Sequence, residues 1–418
     1  MTRLDFHDVV YDWNVVDKTA PMTTRPIELY DETLRDGIQS PSAKDPTIDE
    51  KIELLHLMEK LGIQWADLGL PGAGQRAQED VEILCREIVQ SKLKIRPSTA
   101  ARTVIADIEP IVAISQRVGI EIEVMAFIGS SPIRQYTEGW DVEKIERLST
   151  TALRFAAENG LLPAYVTEDT CRSRPETLGR LFRSAIEAGA RRLCLCDTVG
   201  HATPDGVRRL VGFTRNLVDS LGVDVGVEWH GHNDRGLALP NALFAVEAGV
   251  DRVHGTARGI GERVGNTPMD LLLVNLRLLG VIDNDLAHLD RYTKTAAAAM
   301  GIPIPADYPA VGHDAFRTAT GVHAAAIIKA ARKGDAWLAD HVYSGVPASM
   351  VGREQDIEVG HYSGESNVVY WLERRGIEPE RDLVHAVFSF AKHTNRVLSE
   401  PELHAFIEEY RTTGTHLR

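Results

Sequence analysis

The chain has 418 residues, 44% apolar and 25% charged, and its 46 Lys plus Arg against 60 Asp plus Glu leave a net charge of −14. That is too apolar for a disordered chain and too acidic for a nucleic-acid partner, because phosphate binding rests on clustered Lys and Arg. Small anionic ligands, which need only a local positive pocket, remain open. The length exceeds the ~250–300 residues at which a single core stops growing, so one large domain plus an appendage is expected.

Residues 1–25 read as an N-terminal extension. They carry Asp5, His7, Asp8, Asp12 and Asp17 and lack the apolar stretch of a secretory signal. No run of ~18 apolar residues appears, so no membrane partner is expected. Cys85, Cys171, Cys194 and Cys196 are too few and scattered for a disulfide scaffold. Cys194 and Cys196, two apart in an apolar run, read as strand packing rather than a metal or redox pair. Together these features point to a cytoplasmic protein in a reducing compartment.

From residue 26 short β-type runs alternate with longer helical patterns. The strand candidates are Ile27–Asp31, Trp65–Leu70, Ile95–Thr99, Glu121–Phe127, Ala164–Glu168, Arg192–Asp197, Val223–His230 and Arg252–Gly255. Between them lie amphipathic stretches such as Asp49–Leu61, Asp80–Val89, Val142–Asn159, Pro175–Ala188, Pro204–Leu221 and Pro240–Ala248. Eight such units in about 250 residues suit a (β/α)8 TIM barrel over 26–290. A doubly wound open sheet is the alternative, but it would show a glycine-rich loop after its first strand, where this chain has Glu32-Thr33-Leu34-Arg35-Asp36. Residues 291–418 read as a Pro-rich linker and a small, mostly helical appendage acting in dimerisation or as a lid.

Reactive groups in such a barrel lie beyond the C-terminal ends of the strands. Those positions hold Arg35, Asp36 and Gln39; Glu168 and Asp169; Asp197 and Thr198; His230 and His232; and the loop Gly259–Asn266. Two histidines at i and i+2 of an extended segment point to one side. With Asp36 entering the same mouth they suit a divalent ion, Zn²⁺, Mn²⁺ or Mg²⁺, with Mg²⁺ least favoured by imidazole. The ion would act as a Lewis acid beside Arg35. Glu168 is either a general base or a partner for a substrate hydroxyl, and Thr198 offers a hydroxyl to a carboxylate.

Asp31-Glu32-Thr33-Leu34-Arg35-Asp36-Gly37 resembles the first signature of the DRE-TIM metallolyase superfamily. His230-Gly231-His232-Asn233-Asp234 and Gly259-Ile260-Gly261-Glu262-Arg263-Val264-Gly265-Asn266 are similar to its second and third. Beyond the barrel, Thr320-Gly321-Val322-His323, the spacing of Tyr343 to Gly352, and His361-Tyr362-Ser363-Gly364 resemble the 2-isopropylmalate and homocitrate synthase branch.

That resemblance implies a Claisen-type condensation of acetyl-CoA with a 2-oxo acid. It implies Asp36, His230, His232 and Asn266 as metal ligands, and Arg35, Gln39, Arg102 and Thr198 around the 2-oxo acid. His323 with Glu168 and Tyr343 would be the deprotonating machinery, and Arg258 and Arg263 would lie against CoA. It also implies a homodimer whose appendage reaches over the partner's barrel. Homocitrate synthases place an arginine four residues before the strand-five glutamate, where this chain has Ala164. An apolar 2-oxo acid is therefore expected, 2-oxoisovalerate before pyruvate, because a second buried carboxylate would lack a partner. Ile38 and Arg258 depart from the family pattern, which leaves room for an unusual branched or aromatic substrate. No C-terminal regulatory domain of the long leucine-pathway kind is expected. The rival activity, a carbon–carbon lyase of the hydroxymethylglutaryl-CoA type, would use a loop cysteine, and no cysteine follows Cys196.

Overall fold

Short strands separated by amphipathic helices need parallel partners and cover on both faces. In the computed structural model, which describes residues 9–14, 16 and 22–413, eight strands meet that need. They are β1 (Glu28–Asp31), β2 (Trp65–Asp67), β3 (Arg96–Arg102), β4 (Glu123–Gly129), β5 (Leu162–Glu168), β6 (Arg192–Asp197), β7 (Gly226–Gly231) and β8 (Arg252–Gly255). They pair in chain order and β8 closes on β1, with Glu28 to Asp31 opposite Arg252 to Gly255. Closure rules out the open sheet. Most of the expected extension lies outside the described residues.

The surrounding helices are α1 (Ile48–Lys60), α2 (Gln75–Gln90), α3 (Ile105–Val118), α4 (Pro132–Glu138), α5 (Val142–Glu158), α6 (Pro175–Glu187), α7 (Pro204–Leu221), α8 (Ala238–Ala248) and α9 (Met269–Leu278). Helix α5 shows the local logic. Asp141 Oδ1 accepts the Lys144 N–H at 2.8 Å, and Ile145, Ser149, Ala152, Leu153 and Ala156 form its buried stripe. Several strand bounds differ from the sequence expectation, and at the C-terminal ends β2 and β3 differ most, by three residues each. β2 stops at Asp67, and β3 runs on to Arg102.

Inside the barrel Tyr30, Trp65, Met125, Ala164, Val166, Cys194 and Cys196 pack together. The two thiols are buried, 3.8 Å apart and unoxidised.

The chain divides into two compact units, one of residues up to Leu55 with Ile63–Asp283, the other of His56–Gly62 with the chain from Asn284 on. Within the second, Asn284 Nδ2 donates to the carbonyls of Leu61 and Gly62 at 2.7 and 3.1 Å. Its helices are α10 (Leu289–Met300), α11 (Gly321–Arg332), α12 (Ala336–His341), α13 (Glu365–Arg374), α14 (Arg381–Lys392) and α15 (Glu400–Thr413). Val368, Trp371, Leu372, Val387, Leu403 and Ile407 form the core of its last three helices. A parallel pair, β9 (Arg317–Thr318) and β10 (Asp356–Ile357), adds to the expected helices. Strands of two residues leave no readable alternation. Among the described residues no helix is long and apolar enough to cross a membrane.

Candidate active site

The turn after β1 and the end of β7 bring three potential ligands to one point. His230 Nε2 and His232 Nε2 lie 3.1 Å apart, and each is 3.8 Å from Asp36 Oδ2. All three residues are buried. Glu32, which sequence reasoning did not single out, meets His230 Nδ1 at 2.7 Å. An Nδ1–H donated to that carboxylate fixes the ring with its Nε2 facing Asp36 and His232.

The local field favours positive charge at this point. Burial opposes a charged His230, but Glu32 overrides it and lifts the pKa to about 10. Burial, reinforced by the neighbouring His230, takes His232 down to about 4, so that ring is neutral. Burial likewise opposes charge on Asp36, yet Arg35, His232 and His230 hold its carboxyl below the usual range. Arg35 is shared among Glu32 at 2.6 Å, Asp36 at 3.1 Å and Asp67 at 2.8 Å. One guanidinium cannot neutralise three carboxylates. Asp67 shows the shortfall: its burial, aided by Glu32, outweighs Arg35 and raises it to about 6.

The loop after β8 folds back on the end of β7. Asn233 N–H donates to the Gly265 carbonyl at 2.8 Å, Thr267 N–H to that of Gly231 at 3.0 Å, and Asn266 forms an antiparallel bridge with His232. Glycines make this possible. A Cβ at Gly265, whose φ is +93°, would lie 1.8 Å from the Gly259 oxygen, and one at Gly261 would lie 1.8 Å from Asn266 Oδ1. Asn266 is 1% exposed, yet neither polar atom of its side chain has a hydrogen-bond partner among the described residues, and His232 Nδ1 is likewise unpartnered. Buried polar atoms are rarely left so.

Ligands to one divalent ion at bond lengths of about 2.1 Å stand roughly 3–4 Å apart, as these three donor atoms do. With two imidazoles, an excess of carboxylate and an unspent amide oxygen, the residues fit a divalent metal.

A cavity of about 460 Å³ opens beside them. Glu32, Arg35, Asp36, Gln39, Glu168, Thr198, His230, His232 and Glu262 line its polar part, and Leu70, Ala100, Met125, Phe127, Val166, Cys194 and Cys196 its apolar part. Thr198 Oγ1 accepts the Asp169 N–H at 2.8 Å, which leaves its own proton to donate. Burial pushes the Glu168 carboxyl up, and Arg134, 3.6 Å away, only partly offsets this.

Residues 26–297 match the family described as HMGL-like. This chain belongs to that family. Over 87% of its length it is 32% identical to the homocitrate synthase AksA of Methanopyrus kandleri, covering 86% of that enzyme. It is also 32% identical to a probable 2-isopropylmalate synthase of the same organism, over 84% of this chain and 66% of that one. With the (R)-citramalate synthase CimA of Methanocaldococcus jannaschii it shares 26% identity over 92% of its length and 74% of the relative's. Relatives of these three kinds place the HMGL-like chain in the DRE-TIM metallolyase superfamily. The barrel also superposes on the HMG-CoA lyase of Bacillus subtilis, with a TM-score of 0.56 and 18% identity over 69% of this chain and 98% of that one. That likeness speaks for the fold alone.

The structure gathers Arg35, Asp36, Gln39, Glu168, Thr198, His230 and His232 around one cavity, with Asn266 beside His232. Three expected contacts are not among its lining residues. Arg102 is turned to Asp107 at 2.7 Å with its side chain 65% exposed. Arg263 spans Asp234 at 2.9 Å and the Thr198 carbonyl at 2.6 Å. Arg258, at a φ of +56°, donates its backbone N–H to Asp270. Ile38 lines a neighbouring groove with Leu34 and Leu68, so the departure there leaves the main cavity's lining unchanged. His323 and Tyr343 belong to the second unit, where their rings stack with centroids 4.2 Å apart. Glu32 and Asp67 were missed, although Glu32 sits inside the first signature and Asp67 ends a strand.

Proposed function

We propose that this chain is a metal-dependent acyltransferase that condenses acetyl-CoA with an apolar 2-oxo acid, 2-oxoisovalerate, to give 2-isopropylmalate. The observation that carries the substrate is the cavity. Among the described residues that line it Arg35 is the only Lys or Arg, and it is already shared among three carboxylates. A second carboxylate on the substrate would be set against Met125, Phe127 and Val166 without a counter-charge. The relatives' names span homocitrate, 2-isopropylmalate and citramalate, so family alone does not choose among them.

Asp36, His230 and His232, with Asn266 beside them, would hold the divalent ion, which when bound supplies Lewis-acid polarisation of the keto group. Thr198 donates its hydroxyl to the 2-oxo acid's carboxylate. Arg35 supplies positive field as negative charge develops on the keto oxygen. His323, stacked on Tyr343, takes a proton from the acetyl methyl group, and Glu168 assists as a proton carrier suited by its raised pKa. The carbanion carbon then bonds to the keto carbon, and water cleaves the thioester to release CoA. In this reading the enzyme works as a cytoplasmic homodimer, with the second unit of one subunit serving the barrel of its partner.

The test is CoA thiol release from acetyl-CoA with Zn²⁺, Mn²⁺ or Mg²⁺ and a panel of 2-oxoisovalerate, pyruvate and 2-oxoglutarate. The highest kcat/KM is expected with 2-oxoisovalerate. Preference for 2-oxoglutarate would overturn the substrate, and no release with any acid would overturn the reaction. His323→Ala is expected to cut turnover while leaving bound metal unchanged.

A further inference from the structure

Beneath the metal triad the barrel interior carries a run of ionisable side chains that the reaction above does not use. Glu32 has two oxygens with different duties. Oε2 meets His230 Nδ1, and Oε1 faces both Arg35 Nη2 at 2.6 Å and His254 Nδ1 at 3.3 Å. On its other side His254 Nε2 meets Glu228 Oε2 at 2.9 Å, and Glu228 Oε1 is 2.6 Å from Arg252 Nη2. His254 is 1% exposed and its ring lies flat on Tyr30, 4.2 Å between centroids. Arg252 is clamped from the far side by Glu123 at 2.6 Å.

A carboxylate held by only one partner can swing about its terminal bond. Held by Arg35 and His254 on one oxygen, Glu32 has one orientation left for the other, toward His230. His254 in turn is fixed by a ring stack and by a glutamate that is itself ion-paired.

We infer that His254 is a positioning residue for the metal centre: with Glu228 behind it, it fixes the Glu32 carboxylate that aims His230 Nε2 at the metal position. This rests on the reading of Asp36, His230 and His232 as ligands. Groups that orient ligating histidines typically change metal affinity by about 10–100-fold when removed.

The test is Zn²⁺ affinity of the whole chain by competition with a chromophoric chelator, together with the visible spectrum of the Co²⁺-loaded protein. Wild type is compared with His254→Leu, His254→Gln and, as a buried control remote from the ligands, Tyr165→Phe, which loses its hydrogen bond to Ser149. His254→Leu is expected to weaken Zn²⁺ binding about 10–100-fold, and His254→Gln, whose amide can still donate to a carboxylate, by less. Both should alter the Co²⁺ spectrum, while Tyr165→Phe should match wild type in both measurements. His254→Leu strands two buried glutamates; if it does not fold, His254→Gln decides the matter. A folded His254 variant with wild-type Zn²⁺ affinity and Co²⁺ spectrum would overturn the inference. Wild type that binds no Zn²⁺ would instead overturn the metal reading beneath it.

Discussion

Two layers of the barrel interior are rich in buried charge and differ in its balance: the lower sets Arg252 and Arg192 against Glu123 and Glu228, whereas the upper shares Arg35 among Glu32, Asp36 and Asp67. In the lower layer Arg252 is paired with Glu123 and Glu228, each at 2.6 Å, and its planar face lies 4.5 Å from the ring centre of Tyr30 and 4.7 Å from that of Trp65. In the upper layer the Asp36 Oδ2, His230 Nε2 and His232 Nε2 atoms converge on one point, with the partnerless Asn266 amide nearby. Arg252 Nε and Nη1 too lack hydrogen-bond partners among the described residues, so it is this convergence that sets the upper layer apart. A balanced set of buried charges cannot lose one member without destabilising the fold, whereas a set left short of a cation binds one. Burial alone would not separate the two, since Arg252 is 0% exposed and Asp36 only 3%.

Breaking the upper layer should give the largest effect on function. His232→Ala removes one donor of the triad and is expected to lower kcat/KM by at least about 10³-fold, since metal polarisation contributes several kcal/mol. Bound metal, read by elemental analysis, should fall with it, while the metal-free protein keeps its far-UV spectrum. Full activity in metal-free wild type would remove the basis for separating the layers.

The lower layer should respond in stability instead. Arg252→Met takes from Glu123 and Glu228 their nearest counter-ion and leaves only Arg192, 3.5 Å from each; breaking a buried pair typically costs about 3–5 kcal/mol. Urea unfolding should show that loss, and the folded fraction should lose far less turnover than His232→Ala. A change below about 1 kcal/mol would mean the lower charges are not the balanced set described.

Asp67 sits between the two cases. Its folded pKa of about 6 lies above the ordinary 3.8, so between these values the native state holds a proton that the unfolded state has lost. Stability from this group is therefore full below pH 4, declines as pH rises toward 6, and is flat above. Asp67→Asn should abolish that decline in the metal-free protein. Its stability relative to wild type should rise between pH 4 and 7 by on the order of 2–3 kcal/mol, measured by urea unfolding at each pH.

The barrel and the upper layer were legible because their signals are local. Strand–helix alternation gives the fold, and His230 with His232, or Arg35 with Asp36, lie side by side in the chain. The lower layer was not, because Glu123, Glu228, Arg252 and His254 come from β4, β7 and β8 and meet only when the sheet closes. Nothing in the chain near Glu228 marks a glutamate that will face an arginine 24 residues on. Arg102 differs in the opposite direction: it stands at a strand end, where chemistry is expected, and the side chain of the last residue of β3 turns to Asp107.

That rim position supplies the smallest prediction and the sharpest control. Arg102 Nε and Nη2 meet the two oxygens of Asp107 at 2.7 and 2.8 Å, a good geometry between an exposed arginine and a buried aspartate. Solvent around the arginine screens the pair, and its two-pronged geometry places it at the upper end of the usual range of about 0–1 kcal/mol. Arg102→Ala should therefore shift unfolding by no more than that and leave kcat/KM for 2-oxoisovalerate unchanged within error. A tenfold loss, equivalent to about 1.4 kcal/mol, would show that Arg102 leaves Asp107 to hold the substrate. The boundary between balanced and unbalanced charge would then run through the rim, and exposure would no longer mark a side chain as idle.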